Sequence, residues 1–202
     1  MKKRFLTVST GFILLFALIF FFDDQGFLAA LIPPVLVHES GHYLCLRAFG
    51  ARLKRIRLDL SGLSLSYAGA HMNLIQELCT ALMGPLSGLA YAFVASWLAS
   101  QWGNPILSLS AGISILLSAF NLLPTMPLDG GRAIFLLLNR LIGRRRAAKS
   151  LYVIGLAVSV SLMAAGIWCI DEGLGCSLLI AGIWILSAAS EDACKIRSFV
   201  IQ

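Results

Sequence analysis

The sequence predicts an all-α polytopic membrane protein with about six transmembrane helices and one short β-hairpin. Hydrophobic residues make up 58% of the 202 residues and charged residues only 13%, with a mean hydropathy of +0.85, which is unlike a soluble domain. The apolar residues also fall in long runs, and about 20 such residues cross the hydrocarbon core of a bilayer. Charged residues collect in the connections between these runs.

Six apolar runs are the predicted spans. They cover 5–22, 27–46, 74–100, 106–123, 151–170 and 177–190, the last being the shortest. The first run follows Lys2-Lys3-Arg4 as a signal peptide would, but it is long and lacks a small-residue cleavage site, so we interpret it as a retained anchor. The whole chain, 1–202, is predicted to be a single membrane-embedded domain with its core at 27–142 and extra spans at 5–22, 151–170 and 177–190.

All sixteen basic residues lie on one side of the membrane when the six spans are threaded in order. They occupy the two termini and the connections 47–73 and 132–149, whereas the opposite connections contain Asp and Glu but no Lys or Arg. The positive-inside rule therefore predicts cytoplasmic N- and C-termini. The net charge of +6 reflects this orientation and contact with lipid, so a nucleic-acid partner is not expected.

The connection between the second and third spans alternates apolar and polar residues. The alternation runs over 53–60 and continues over 63–67 after Ser61-Gly62, a pattern that predicts a β-hairpin. Its backbone cannot face lipid unpaired, so we place the hairpin at the cytoplasmic surface or on the wall of a protein-lined cavity. An edge strand there could accept an extended peptide. The competing interpretation is an ordinary cytoplasmic loop.

The five cysteines are an odd number without a Cys-x-x-Cys pair, which argues against a disulfide framework or a thiolate metal site. Cys45 and Cys79 lie within apolar runs and are predicted to be small core residues. Cys169 and Cys176 flank a predicted outer connection and could pair in an oxidising compartment.

The segment His38-Glu39-Ser40-Gly41-His42 lies inside the second predicted span. Two of the three histidines are four residues apart, on one helical face, and a glutamate follows the first. Zinc hydrolases use this arrangement, with two nitrogen ligands for the metal and a carboxylate that handles a water molecule. Ionisable residues within a membrane are costly and are functional by default. The segment therefore predicts a zinc site.

A catalytic zinc usually has three protein ligands, so another residue must complete the site. His71 is the remaining histidine, but its position at the start of the third span is better explained by an interfacial role. Asp129 is the stronger candidate, because two prolines and an Asp-Gly-Gly sequence break the helix at membrane depth, where irregular backbone needs a cavity. The competing interpretation is a turn in which Asp129 pairs with Arg132.

The three candidate ligands can meet at one depth. With a rise of 1.5 Å per residue, His42 and His38 lie roughly 8 and 13 Å from Arg47, which marks the cytoplasmic boundary. Asp129 precedes a basic segment and approaches from the same leaflet. Access to the site is therefore predicted from the cytoplasmic side.

Taken together, these motifs resemble the site-2 proteases, which are intramembrane zinc metalloproteases. The chain resembles most the bacterial branch that processes a membrane-tethered sporulation sigma-factor precursor. The resemblance covers roughly 30–140 and rests on the order and spacing of three motifs. These are His-Glu-Ser-Gly-His at 38–42, Gly84-Pro85-Leu86, and Asn121-Leu122-Leu123-Pro124 followed by Pro127-Leu128-Asp129-Gly130-Gly131. Ser87-Gly88 departs from the asparagine that the family often has after Gly-Pro.

The resemblance implies a site-2 protease core with one Zn²⁺ ion. His38, His42 and Asp129 correspond to its ligands and Glu39 to the catalytic glutamate. Asn121 corresponds to a family residue that binds the substrate or the developing oxyanion, with a hydrogen bond in helix packing as the alternative. The implied partners are a membrane-tethered protein substrate, membrane inhibitors or regulators, and the lipid of a bacterial cell membrane.

We therefore expect hydrolysis of a peptide bond in or near a transmembrane segment, which in the sporulation branch releases a sigma factor. Two other classes compete with this function. A metal-binding transporter would normally have paired broken helices from repeated halves, whereas this chain has one aspartate-bearing break and no repeat. A catalytically silent scaffold would not need Glu39 together with all three ligands.

Overall fold

The computed structural model describes residues 6–9, 20–21, 23, 26–59, 62–68, 72–173 and 175–200. The chain divides into two compact units, Met1–Ala119 and Phe120–Gln202. Within the described residues of the first unit lie β1 (Leu6–Val8), α1 (Phe27–Ala48), β2 (Arg52–Asp59), β3 (Gly62–Ala68) and α2 (Leu74–Trp102). Helix α3 (Pro105–Asn121) ends where the second unit begins, and α4 (Asp129–Ile142), α5 (Arg144–Asp171) and α6 (Ser177–Val200) follow.

The strands form a sheet in the order β1-β2-β3. Strands β2 and β3 are antiparallel, with Asp59 opposite Gly62 and a register shift between Leu53 and Arg55. This pair occupies the segment in which alternation predicts a hairpin. Strand β1 is parallel to β2, with Leu6 opposite Ile56.

The beginning of the predicted first span, 5–22, is therefore not helical, because Leu6–Val8 is a strand. Hydropathy does not distinguish a short apolar strand from the start of a helix, and here a partner strand decides the backbone conformation. Phe20 and Phe21 are helical, and residues 10–19 of this predicted span lie outside the described residues.

Helices occupy the other five predicted spans. Helix α1 begins after Asp23, whose carboxylate accepts hydrogen bonds from the backbone N–H groups of Phe27 (2.6 Å) and Leu28 (2.8 Å). These bonds satisfy donors that have no partner within the helix. Helix α2 begins with a capping box formed by Asn73 and Gln76.

Two helices in the described part of the chain, α2 and α5, are long and apolar enough to cross a membrane. Shorter apolar helices lie at Pro105–Asn121 and Ser177–Ala188. The predicted number of six membrane crossings is thus not established by length and hydropathy alone.

Small residues are inside the helical packing and large apolar residues are outside. The buried positions of α2 are mostly alanine, glycine and threonine, whereas Phe93 is 77% exposed and Trp97 58% exposed. A soluble domain would bury such large side chains. Close packing through small residues is typical of helices in lipid, where large apolar side chains face the acyl chains. The helices therefore have the surface of a membrane protein.

Helices α5 and α6 approach closely in the second unit. The hydroxyl of Ser159 donates a 2.6 Å hydrogen bond to the carbonyl oxygen of Gly182, and Gly166 faces the backbone of Leu179. Ile185 is completely buried. Small residues at these positions let a hydroxyl reach the backbone of the neighbouring helix. The resulting hydrogen bond and the close packing hold the two helices together without a hydrophobic effect between them.

The cysteines only partly follow the sequence-based expectation. Cys45 is buried, as predicted for a small core residue, but Cys79 is exposed, so the core position predicted for it is wrong. Cys169 and Cys176 are both free thiols, so the proposed pair does not form.

Replacing Gly166 by alanine should destabilise the protein, because the new Cβ would overlap the backbone of α6 at Leu179. We expect a loss of about 1–3 kcal/mol in the free energy of unfolding, the usual cost of overpacking. Gly112→Ala is the matched control, since no atom lies within 4 Å of a Cβ at that helical position. Unfolding in detergent micelles measures both, and equal effects would contradict the packing argument.

Candidate metal centre

The two histidines of the 38–42 segment face each other across one turn of α1. Their Nε2 atoms are 3.3 Å apart, and the ring planes are inclined by 76°. Two nitrogens bound to the same tetrahedral zinc at 2.0–2.1 Å would be separated by about 3.3–3.4 Å. His38 is only 4% exposed, so this pair lies in the protein interior. The spacing of the two nitrogens fits shared coordination of one ion.

The protonation of His42 follows from its other ring nitrogen. Nδ1 lies 2.7 Å from the backbone carbonyl oxygen of Thr80 in α2. A carbonyl can only accept, so Nδ1 carries the proton and the lone pair of the neutral ring is on Nε2. A hydrogen bond of this kind orients a ligating histidine and increases its basicity. The carbonyl group of α2 therefore fixes the tautomer and the ring orientation with which His42 can bind a metal.

A glycine makes this position of His42 sterically accessible. A Cβ at Gly84 would overlap three atoms of the imidazole, Nε2, Cε1 and Cδ2. The ring therefore lies directly against the backbone of α2. Sequence reasoning used Gly84-Pro85-Leu86 as a motif of the family resemblance and did not connect the glycine with a ligand. The glycine of the Gly-Pro-Leu motif could have indicated this contact, but the residue that it contacts, His42, lies in another helix.

Ser87 joins the same two helices one turn further along α2. Its hydroxyl lies 3.1 Å from the carbonyl oxygen of Val37 and 2.7 Å from that of Gly84, so it can donate to either. A Cβ at Gly41 would overlap Ser87 and the carbonyl of Met83. The close approach of α1 and α2 therefore depends on the glycine between the two histidines.

Asp129 is the first residue of α4, immediately after a non-helical loop at 122–128. The predicted helix break is present. The N–H of Leu128 donates to the carbonyl oxygen of Thr125 at 3.0 Å, and the N–H of Arg132 donates to that of Leu128 at 3.0 Å. These two hydrogen bonds connect the loop to the helix and define the position of the aspartate between them.

The two glycines after Asp129 are required by the path of the loop. A Cβ at Gly130 would overlap the carbonyl group of Leu122, and a Cβ at Gly131 would overlap the backbone of Thr125. The loop therefore folds back onto the first turn of α4. Thr125 is completely buried, and its hydroxyl lies against Gly155 of α5.

The candidate ligands belong to both units of the chain. His38 and His42 of the first unit offer two imidazole nitrogens, and Asp129 of the second unit offers a carboxylate oxygen. Two imidazole nitrogens with one carboxylate oxygen make a donor set that suits zinc, and three protein ligands are the usual number in catalytic sites. His71, the rejected candidate, lies outside the described residues.

The two remaining candidates are next to these ligands in sequence. Glu39 follows His38 in α1 and is half-buried. Asn121 is the last residue of α3 and is also half-buried, so the 122–128 loop has Asn121 at one end and Asp129 at the other.

Comparisons with known proteins find similarity to zinc metalloproteases. Residues 99–163 match the model of peptidase family M50. A zinc metalloprotease of Methanocaldococcus jannaschii is 26% identical over 147 residues, which are 68% of this chain and 41% of the relative. Stage IV sporulation protein FB of Bacillus subtilis is 32% identical over 116 residues, or 56% and 40% of the two chains. The chain thus spans about two fifths of the length of these relatives.

The fold also has a solved counterpart. The structure of a site-2 protease from Methanocaldococcus jannaschii is similar with a TM-score of 0.69 at 20% sequence identity. The similarity covers 95% of this chain and 92% of the other. At this level of identity the comparison concerns the fold, which both chains share over nearly their whole lengths.

Gly84→Ala should weaken zinc binding without removing any ligand. The new methyl group would displace the imidazole of His42 from Thr80, and loss of such supporting contacts typically costs about 10–100-fold in metal affinity. Competition with a chromophoric chelator measures the affinity, with Gly112→Ala as the control. An unchanged affinity in Gly84→Ala would contradict the role given to the glycine.

Gly155→Ala should disturb the 122–128 loop from its far side. A Cβ at position 155 would lie 2.7 Å from Oγ1 of Thr125 but 3.5 Å from its Cβ. Thr125→Ala in the same chain removes the overlapping oxygen and should restore the contact. We expect zinc affinity to fall about tenfold in Gly155→Ala and to recover in the double variant. If Gly155→Ala and the double variant bind zinc equally weakly, the contact between Gly155 and Thr125 does not position the loop.

Proposed function

We propose that the chain is a member of the site-2 protease family, peptidase family M50, and that it acts as an intramembrane zinc metalloprotease. Its reaction is the hydrolysis of a peptide bond in or near a transmembrane segment of a membrane-tethered protein. The observation that carries this proposal is the 3.3 Å separation of the Nε2 atoms of His38 and His42 in α1, with Glu39 adjacent to the first histidine.

In the proposed site, His38, His42 and Asp129 hold one Zn²⁺ ion. When bound, zinc supplies a Lewis acid that lowers the pKa of a water molecule and polarises a carbonyl group. The protein's contribution is the orientation of the ligands. Thr80 holds the proton of His42 on Nδ1 and so leaves its Nε2 lone pair available to the metal.

Glu39 is the proposed general base. Its carboxylate accepts a proton from the attacking water and later delivers that proton to the amine of the leaving peptide. A half-buried carboxylate next to a metal ligand suits both steps. Its partial burial keeps most bulk water away from it, while a substrate can still reach it.

Asn121 is the proposed donor to the oxyanion that develops on the scissile carbonyl. Its amide N–H can donate a hydrogen bond to this oxygen, and loss of a single such donor typically costs about 10²–10³ in rate. Its place directly before the loop that leads to Asp129 supports this role.

A helical peptide bond is shielded by its own hydrogen bonds, so the substrate must unwind locally to be cut. Within the described residues, β3 pairs on one side only, with β2. We propose that β3 receives the unwound segment by strand addition, which would satisfy the backbone of the substrate. This arrangement presents an extended peptide for hydrolysis.

The orientation follows the charge pattern. With sixteen basic residues on one side of six proposed spans, both termini and the access to the metal face the cytoplasm of a bacterial cell. The resemblance of the sequence motifs to the sporulation branch supports a tethered transcription factor, such as a sigma-factor precursor, as the proposed substrate. Membrane inhibitors or regulators are further proposed partners.

The test combines cleavage and zinc content. The purified protein in proteoliposomes is mixed with a membrane-tethered transcription-factor precursor. Glu39→Gln should lose at least about 10²-fold in rate while it retains zinc, because it changes only the base. Asp129→Asn should lose activity and much of its zinc, because a neutral amide is a poorer ligand than a carboxylate.

The control is Glu172→Gln, the same substitution at an exposed position after α5. It should cleave at the rate of the unmodified protein. Cleavage that persists in Glu39→Gln would overturn the proposed mechanism, and full zinc content in Asp129→Asn would remove Asp129 from the ligand set.

A further inference from the structure

An apolar cleft opens along α5 in the second unit. Its volume is about 450 Å³, and it is lined by Leu123 of the 122–128 loop and by Ile154, Ala157, Val158, Ser161 and Leu162. The five residues of α5 follow helical spacing and lie on one face of that helix. The walls are hydrocarbon except for the hydroxyl of Ser161, so the cleft suits an apolar ligand.

A cluster of exposed cations lies at the start of the same helix. Arg144, Arg145, Arg146 and Lys149 are all exposed, and residues 130–170 contain no Asp or Glu that could offset their charge. Leu141, at the end of the preceding helix, is 78% exposed. Cations next to exposed apolar side chains are typical of a protein surface at the level of anionic lipid headgroups.

Two of these arginines flank the face of α5 that carries the cleft. At 3.6 residues per turn, Arg144 and Arg146 lie about 80° to either side of the line through Ile154, whereas Arg145 lies on the opposite face. Along the helix axis, Arg146 is about 12 Å from Ile154 and about 24 Å from Leu162. One leaflet has about 15 Å of hydrocarbon beneath roughly 6 Å of headgroup region. The cleft thus lies at the depth of acyl chains.

We propose that α5 carries a binding site for one anionic phospholipid. Its phosphate lies between Arg144 and Arg146, and one of its acyl chains fills the cleft beside Leu123. The charge of the arginines selects an anionic headgroup, and the apolar walls accept the chain. This site is independent of the proposed proteolytic function.

The lipid would contact the segment that leads to Asp129. Leu123 belongs to the 122–128 loop, and Gly155, next to Ile154 in sequence, packs against Thr125 of that loop. A lipid in the cleft therefore covers the side of the loop that α5 leaves open, and its loss exposes Leu123.

A phospholipid suits this site better than a transmembrane helix does. A phospholipid carries the phosphate with which the exposed arginines can pair, whereas ionisable groups are rare within transmembrane segments.

The headgroup half of the proposal is tested by native mass spectrometry of the Glu39→Gln protein in detergent with equal amounts of POPG and POPC. We expect preferential retention of one POPG molecule. Arg144→Gln with Arg146→Gln should lower POPG retention roughly thirtyfold, as expected for two cations near a phosphate. Arg145→Gln is the matched control and should retain POPG, as should the double variant Arg144→Lys with Arg146→Lys.

The cleft half is tested with Ala157→Trp, which fills the cleft, and Val160→Trp, which adds the same ring at a position that is 56% exposed and outside the cleft. Only Ala157→Trp should abolish retention of the lipid. Circular dichroism and the unfolding temperature in detergent verify that both variants fold. If Ala157→Trp does not fold, the proposal is decided by the competition between POPG and POPC in the protein with the unmodified cleft, where preferential retention of one POPG molecule supports it and equal retention overturns it.

Several results would overturn the proposal. These are equal retention of POPG and POPC, an equal loss in Arg145→Gln, or full retention in a folded Ala157→Trp variant. A photo-crosslinker at position 157 that yields peptide adducts instead of lipid adducts in membranes would assign the cleft to a transmembrane segment. Because lipid binding is measured in the Glu39→Gln protein, failure of this proposal is distinguishable from failure of the proteolytic function.

Discussion

The imidazole of His42 rests against the backbone of α2 between Thr80 and Gly84, and the chemistry of the site depends on this contact. The carbonyl of Thr80 decides which ring nitrogen carries the proton, and the missing side chain of Gly84 gives the ring its space. A polar group in a low-dielectric interior is costly unless it is paired. The same hydrogen bond therefore stabilises the buried ring and directs its lone pair toward His38.

The packing of the helices makes such contacts possible. Lipid removes the hydrophobic effect between helices, so small residues and hydroxyl groups must bring them together. Three serines do this in the same way, each with a hydroxyl directed at a backbone carbonyl of another helix: Ser87 at Val37, Ser114 at Gly88 and Ser159 at Gly182. Short interhelical distances are thus combined with hydrogen bonds that define the register of neighbouring helices.

Glycine has a corresponding role around the aspartate. Gly130 and Gly131 allow the first turn of α4 to lie against the 122–128 loop, and Gly155 allows α5 to lie against Thr125. The candidate ligand is positioned by backbone contacts, which tolerate less change than contacts between flexible side chains. A single methyl group can therefore displace a ligand to which it has no direct contact.

The sequence by itself determined the features that depend on local pattern. Hydropathy located the helices at 27–46, 74–100, 106–123 and 151–170, four-residue spacing placed His38 and His42 on one face, and prolines and glycines identified the break before Asp129. Tertiary structure alone decided that Leu6–Val8 is a strand, because its conformation depends on pairing with β2. It also decided that Thr80 and Gly84 serve His42, although Thr80 is 38 residues away in sequence. Local pattern specifies which face of a helix is apolar or polar, but only the packing of two helices determines which residues on those faces meet.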